Sequence, residues 1–151
     1  MLSTLALFTS LIGSSFLTPN ELNPIDAYPI WRLGETGTYV SVGSERSFIG
    51  AASSDANGLV VIDRDPAVIR FAQINAALLK ASLNLSDYRF LRMKADANEW
   101  AARGLKPLED IENWKWWEEY IRHPPKGDTH YGTYWARFNL ASNSSWSSKP
   151  P

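Results

Sequence analysis

The chain has 151 residues, of which 44% are apolar and 21% charged, with a net charge of −1. That is enough to close one hydrophobic core, and it gives no electrostatic ground for nucleic acid or an acidic membrane as a partner. With no cysteine in the chain, disulfides, thiolate metal sites and a cysteine nucleophile are excluded.

The first segment, residues 2–17, is mostly apolar and uncharged. It has the length of a signal-peptide core, but no Lys or Arg precedes it and no small-x-small cleavage site follows. Ser and Thr interrupt it, and it is too short for a membrane span. Leu5, Phe8, Ile12 and Phe16 share one helical face. The segment therefore reads as a buried N-terminal helix of a cytoplasmic protein, with secretion through a weak leader as the alternative. Thr18-Pro19-Asn20-Glu21 has the form of a capping box, and Pro24 limits that helix to one or two turns. Pro29 predicts an extended approach into Trp31, and Gly34 and Gly37 bracket a turn.

Residues 38–82 organise the chain. Two short β-branched runs, Tyr39-Val40-Ser41-Val42 and Leu59-Val60-Val61-Ile62, flank an amphipathic piece over residues 44–53. Asp65-Pro66 opens a long apolar helix that reaches Ser82. The pattern is β-α-β-α, and the runs suit adjacent parallel strands buried on both faces, joined by a right-handed crossover. The fold class expected is α/β: a partial doubly wound, Rossmann-like parallel sheet with flanking helices, shortened or truncated. Residues 1–140 make one domain in this reading, and residues 141–151, rich in Ser and ending in Pro-Pro, a disordered tail.

In open α/β sheets, ligands bind at the carboxyl ends of the strands. Here those ends are Gly43 and Asp63, separated by 20 residues. That is about the spacing between a glycine turn and a ribose-binding acid in nucleotide-binding βαβ units. Gly43 lets the backbone approach a ligand, and Ser44 can cap the next helix and leave N–H groups for an anion. Asp63 can accept hydrogen bonds from two ribose hydroxyls. The alternative is a turn glycine and an acid that satisfies local backbone N–H groups. The glycine-rich G-x-G-x-x-G is absent, which disfavours a nicotinamide dinucleotide.

In the helix over residues 66–82, Arg70, Gln73 and Lys80 form a polar stripe, and Val68, Phe71, Ala72, Leu78 and Leu79 an apolar face. Asn75 lies within that face and needs partners. Leu85, Tyr88 and Leu91 suit a short helix, with a strand over residues 88–93 as the competing assignment. A helix is expected over residues 107–122, with acids in its first turns. Its Trp114, Trp116, Trp117 and Tyr120 are either an aromatic surface for a partner or a packed core edge. His123 and His130 lack carboxylates at ligand spacing, so no metal is expected. Residues 131–140 alternate as a strand, with Tyr134, Ala136, Phe138 and Leu140 on one face.

Residues 37–82 resemble the opening half of uncharacterised bacterial proteins with a class I, S-adenosylmethionine-dependent methyltransferase-like Rossmann core. The resemblance rests on Val42, Gly43, Glu45, Phe48, Asp63, Arg64 and Asp65. It implies a nucleoside cofactor, S-adenosylmethionine, held by Gly43, Ser44, Glu45, Asp63 and Arg64. The second motif glycine and an N-P-P-Y or D-P-P-Y catalytic motif are missing. The resemblance thus implies either methyl transfer to an unknown acceptor by a shortened member or a non-catalytic nucleoside-binding or partner-binding module.

Overall fold

The computed structural model describes residues 27–43 and 45–123. The apolar N-terminal segment, the capping box at Thr18, Ser44, His130, the alternating residues 131–140 and the tail all lie outside the described residues.

The chain enters through α1 (Tyr28–Trp31). Pro29 does not force an extended approach. It sits in the first turn of this short helix, where its missing N–H costs nothing. Next come β1 (Thr38–Val42), α2 (Glu45–Ser53) and β2 (Gly58–Ile62). The strands are adjacent and parallel, with Thr38 paired to Gly58 and Val42 to Ile62. Helix α2 crosses between them and packs on the face that carries Tyr39 and Ser41. Its Gly50 has no room for a Cβ, because the Tyr39 phenol lies against it.

The strands are not buried on both faces. Burial alternates along β1, and Val40 and Val42 are 60% and 74% exposed. Ile62, the register partner of Val42, is 55% exposed. A β-branched run is compatible with a parallel strand, but only packing elements above and below bury both faces.

From here the chain is helical. Helix α3 (Pro66–Ala81) begins at the N-cap Asp65, whose side chain accepts the Ala67 N–H at 2.8 Å. Ser82 ends it, with Oγ donating to the Leu78 carbonyl at 2.6 Å. Helices α4 (Leu85–Met93), α5 (Ala97–Ala101), α6 (Lys106–Glu109) and α7 (Ile111–Trp117) follow, then a π-helical turn over Glu118–Arg122. Asp96 and Glu99 make a complete capping box for α5. Asp110 breaks the helix expected over residues 107–122 into α6 and α7, because its side chain caps the Glu112 N–H at 2.9 Å.

The doubly wound, Rossmann-like sheet is therefore not what the chain forms: among the described residues it is mostly helical, with a sheet of two strands. The stretch after α3 has helix caps and a helical apolar period instead of further strand runs. Its core is made by Val68, Phe71, Ile74, Leu78, Leu91, Trp100, Leu108, Trp117 and Ile121, all helical or in the π turn.

Three indoles organise that core by a shared chemistry. Trp100, Trp117 and Trp114 donate their N–H groups to the carbonyls of Leu91, Arg92 and Ala95, at 2.9, 3.0 and 3.1 Å. The carbonyls at the end of α4 have no partner within the helix, and each buried indole N–H needs an acceptor. Arg122 completes the arrangement: its guanidinium donates to Leu91, Arg92 and Ala95 oxygens, each at 2.8 Å.

Candidate functional site

The register carries the carboxyl-end geometry. Because Val42 pairs with Ile62, Gly43 and Asp63 are the residues that directly follow the two neighbouring strands. Adjacent strands run about 5 Å apart, so the two residues leave the sheet at the same edge. Gly43 has φ +91°, a conformation glycine adopts freely, and open space where a Cβ would stand. Its carbonyl accepts the Ser47 hydroxyl at 3.1 Å, and Ser47 is fully buried beneath the turn.

Asp63 is half-buried. Its Oδ1 accepts the Asp65 N–H at 2.9 Å, an Asx turn that leads into the Asp65 cap of α3. One carboxylate oxygen thus serves the local backbone, as the turn alternative required. Arg64, at the turn's crest, is exposed.

Glu45 opens α2 and points away from this rim, down to α4. Its Oε1 lies 2.9 Å from Nη1 of Arg92, which is fully buried. The same Nη1 donates to the Tyr88 hydroxyl at 2.6 Å and to Asn75 Oδ1 at 3.0 Å, and Tyr88 donates to Asn75 Oδ1 at 2.7 Å. The rings of Phe71, Tyr88 and Trp117 surround the guanidinium at 5.6–5.8 Å. Burial alone would push the Arg92 pKa down; the Glu45 carboxylate, with Tyr88, holds it above its ordinary value. Burial also raises the Tyr88 phenol, against the pull of Arg92. This cluster neutralises one buried charge and ties α2 to α3 and α4. Asn75 is satisfied structurally, as its place on the apolar face of α3 demanded.

Of the resemblance residues described, the structure brings Gly43, Asp63 and Arg64 to one rim and turns Glu45 inward. Sequence reasoning named Glu45, read Tyr88 only as part of a helical face, and missed Arg92. The only signal was a pair of polar side chains, four residues apart, on a helix otherwise read for its leucines.

Of the two readings of the aromatic run, the packed core edge describes most of it. Trp117 is fully buried, stacked on Phe71 at 5.3 Å. Trp114 is half-buried through its bond to Ala95. Trp116 and Tyr120 pair at 5.8 Å, with Arg70 over the Trp116 ring. At the opposite, amino end of β1 a cleft of about 290 Å³ is lined by Trp31, Tyr39, Ile30 and Glu35. Among the described residues no group of three His, Asp or Glu side chains could hold a metal ion, and no helix is long and apolar enough to cross a membrane.

A family model described as a domain of unknown function matches residues 25–146. No curated protein and no solved structure matches the chain.

Proposed function

We propose that this chain, a member of the DUF7790 family, is a nucleoside-binding module whose ligand sits over the carboxyl ends of β1 and β2. The observation that carries this reading is the Val42–Ile62 pairing, after which Gly43 and Asp63 leave the sheet at the same edge. Gly43 offers a ligand an approach to bare backbone. Asp63 offers Oδ2 to a ribose hydroxyl while Oδ1 stays with the Asp65 N–H. Arg64, exposed beside it, supplies a cation for a negatively charged ligand group. S-adenosylmethionine is the ligand that the resemblance over residues 37–82 suggests, and methyl transfer would be the activity of a member that also holds an acceptor.

The test is calorimetric titration with S-adenosylmethionine, S-adenosylhomocysteine, adenosine and NAD. A charge-assisted bond to Asp63 contributes roughly 1.5–3 kcal/mol, so its loss weakens binding about tenfold or more. Asp63→Ala removes both the ribose contact and the Asx turn, so it lowers affinity and also costs about 1 kcal/mol of stability. Asp63→Asn keeps an acceptor for the turn and separates the two effects: affinity falls while the melting temperature holds. No saturable heat with any of the four compounds, or equal affinity in Asp63→Asn, would overturn the reading.

A further inference from the structure

Taking a guanidinium out of water is expensive, and apolar side chains of similar volume often stabilise a core as well or better. The fully buried Arg92 is therefore better read as a geometric device than as a source of stability. Its Nη1 donates to Glu45 of α2 at 2.9 Å and to Asn75 of α3 at 3.0 Å, so one nitrogen bridges the two helices. Each of those helices holds one lip of the sheet's rim. The Ser47 hydroxyl, in the first turn of α2, donates to the Gly43 carbonyl at 3.1 Å. The Asp63 side chain leads by its Asx turn into the Asp65 cap of α3. The strand ladder fixes the chain as far as Val42 and Ile62, and beyond them the lips follow the helices. The bridge also has a fixed foundation. The Arg92 carbonyl accepts the Trp117 indole N–H at 3.0 Å and the Arg122 Nε–H at 2.8 Å. We propose that Arg92 is a positioning residue of the rim: it sets α2 against α3, and with them the Gly43 turn against Asp63. It acts through Glu45 and Asn75, not by touching a ligand.

The ligand-free protein gives the first test. Because the chain has no cysteine, Ala52→Cys on α2 and Gln73→Cys on α3, both exposed, take nitroxide labels without background. Electron-spin distance measurement on the full chain then reads the separation of the two helices. Glu45→Gln and Arg92→Met should each shift or broaden the distance distribution. Tyr88 lies off the line from Glu45 to Asn75, although its hydroxyl donates to Asn75 at 2.7 Å. Tyr88→Phe should therefore lower the melting temperature and leave the distribution as it was. An unaltered distribution in Glu45→Gln would overturn the proposal, whether or not Arg92→Met folds.

The second test rests on the nucleoside-binding reading and is run below the melting temperature of every variant. Arg92→Met and Glu45→Gln should each weaken adenosine binding about tenfold or more, the loss expected when a charge-assisted ribose contact is misplaced. Both should also lose the preference for adenosine over 2′,3′-dideoxyadenosine, which Tyr88→Phe should keep. An equal loss in Tyr88→Phe would mark a merely structural cluster and overturn the proposal. So would a loss in Glu45→Gln that a folded Arg92→Met does not share, since Glu45 would then be touching the ligand itself. No saturable binding before any substitution would overturn the nucleoside reading alone, and the distance measurement would still decide the role of Arg92.

Discussion

The βαβ unit and the helical region after it have similar apolar content and opposite burial. In the helical region, every side of the core is closed by a partner: Phe71 stacks on Trp117, Trp100 leans on Trp117 at 6.0 Å, and Leu78, Leu91 and Ile121 are buried to within 1%. In the βαβ unit no apolar strand residue is fully buried, and half of β1 faces outward. The difference shows that a β-branched run specifies a strand, whereas its burial is decided by what packs on it. Among the described residues a charged clamp, Glu45 on Arg92, joins the two regions.

The largest effect should come from the helical side. Trp117→Ala opens a cavity in the closed core and strips the Arg92 carbonyl of its indole donor, at a cost of about 3–5 kcal/mol in urea unfolding. A loss below about 1 kcal/mol would mean that the core is less closed than its burial indicates. The clamp comes next. Glu45→Gln removes the counter-charge of a buried guanidinium and should cost about 1.5–3 kcal/mol. It should also separate the unfolding of the two regions, so that exchange of the strand amides no longer coincides with loss of helical circular dichroism. Coincident transitions would show that other contacts couple them.

Within the βαβ unit the effect is smaller. Gly43→Ala puts a side chain on a backbone with φ +91°, which should cost about 1–2 kcal/mol through strain alone, since nothing crowds the position. The smallest effect is a pH dependence in the helical region. The Leu83 N–H, then the Arg103 guanidinium, hold the Asp87 carboxyl below its ordinary 3.8. A depressed folded pKa stabilises fully above the unfolded value and is lost as pH falls through the folded one. Asp87→Asn should therefore flatten the fall in stability below about pH 4, measured as the urea midpoint at pH 7 and pH 3.

Much of this was legible locally. The two parallel strands, α3 with its Asp65 cap, and the burial of Asn75 follow from residues within a few positions of each other. So does the α5 capping box, Asp96 to Glu99, which a search for acid-x-x-acid before an apolar residue would have found. What was not legible depends, apart from the local cap at Asp110, on distant groups. The break at Asp110 needed the capping role of an acid within an acidic run. The fate of the tryptophans needed the α4 carbonyls they serve. The missing sheet could not be read from strands that look the same whether two or seven are present. That Gly43 and Asp63 follow paired strand ends was legible from the two apolar runs, but the buried Arg92 cluster was not, because its partners lie 4, 17 and 47 residues away.

The end of α4 carries a consequence for how the protein is made. Chains emerge from the ribosome N-terminus first. The carbonyls of Leu91, Arg92 and Ala95 are sealed by donors from Trp100, Trp114, Trp117 and, last, Arg122. A nascent chain halted at Asp110 would hold the strands and α3 but leave α4 with open carbonyls and the core without Trp117 and Ile121. Trp100 can already serve the Leu91 carbonyl at that stage, but the stacking partner of Phe71 and the three-way seal by Arg122 exist only once residues 117 and 122 are available.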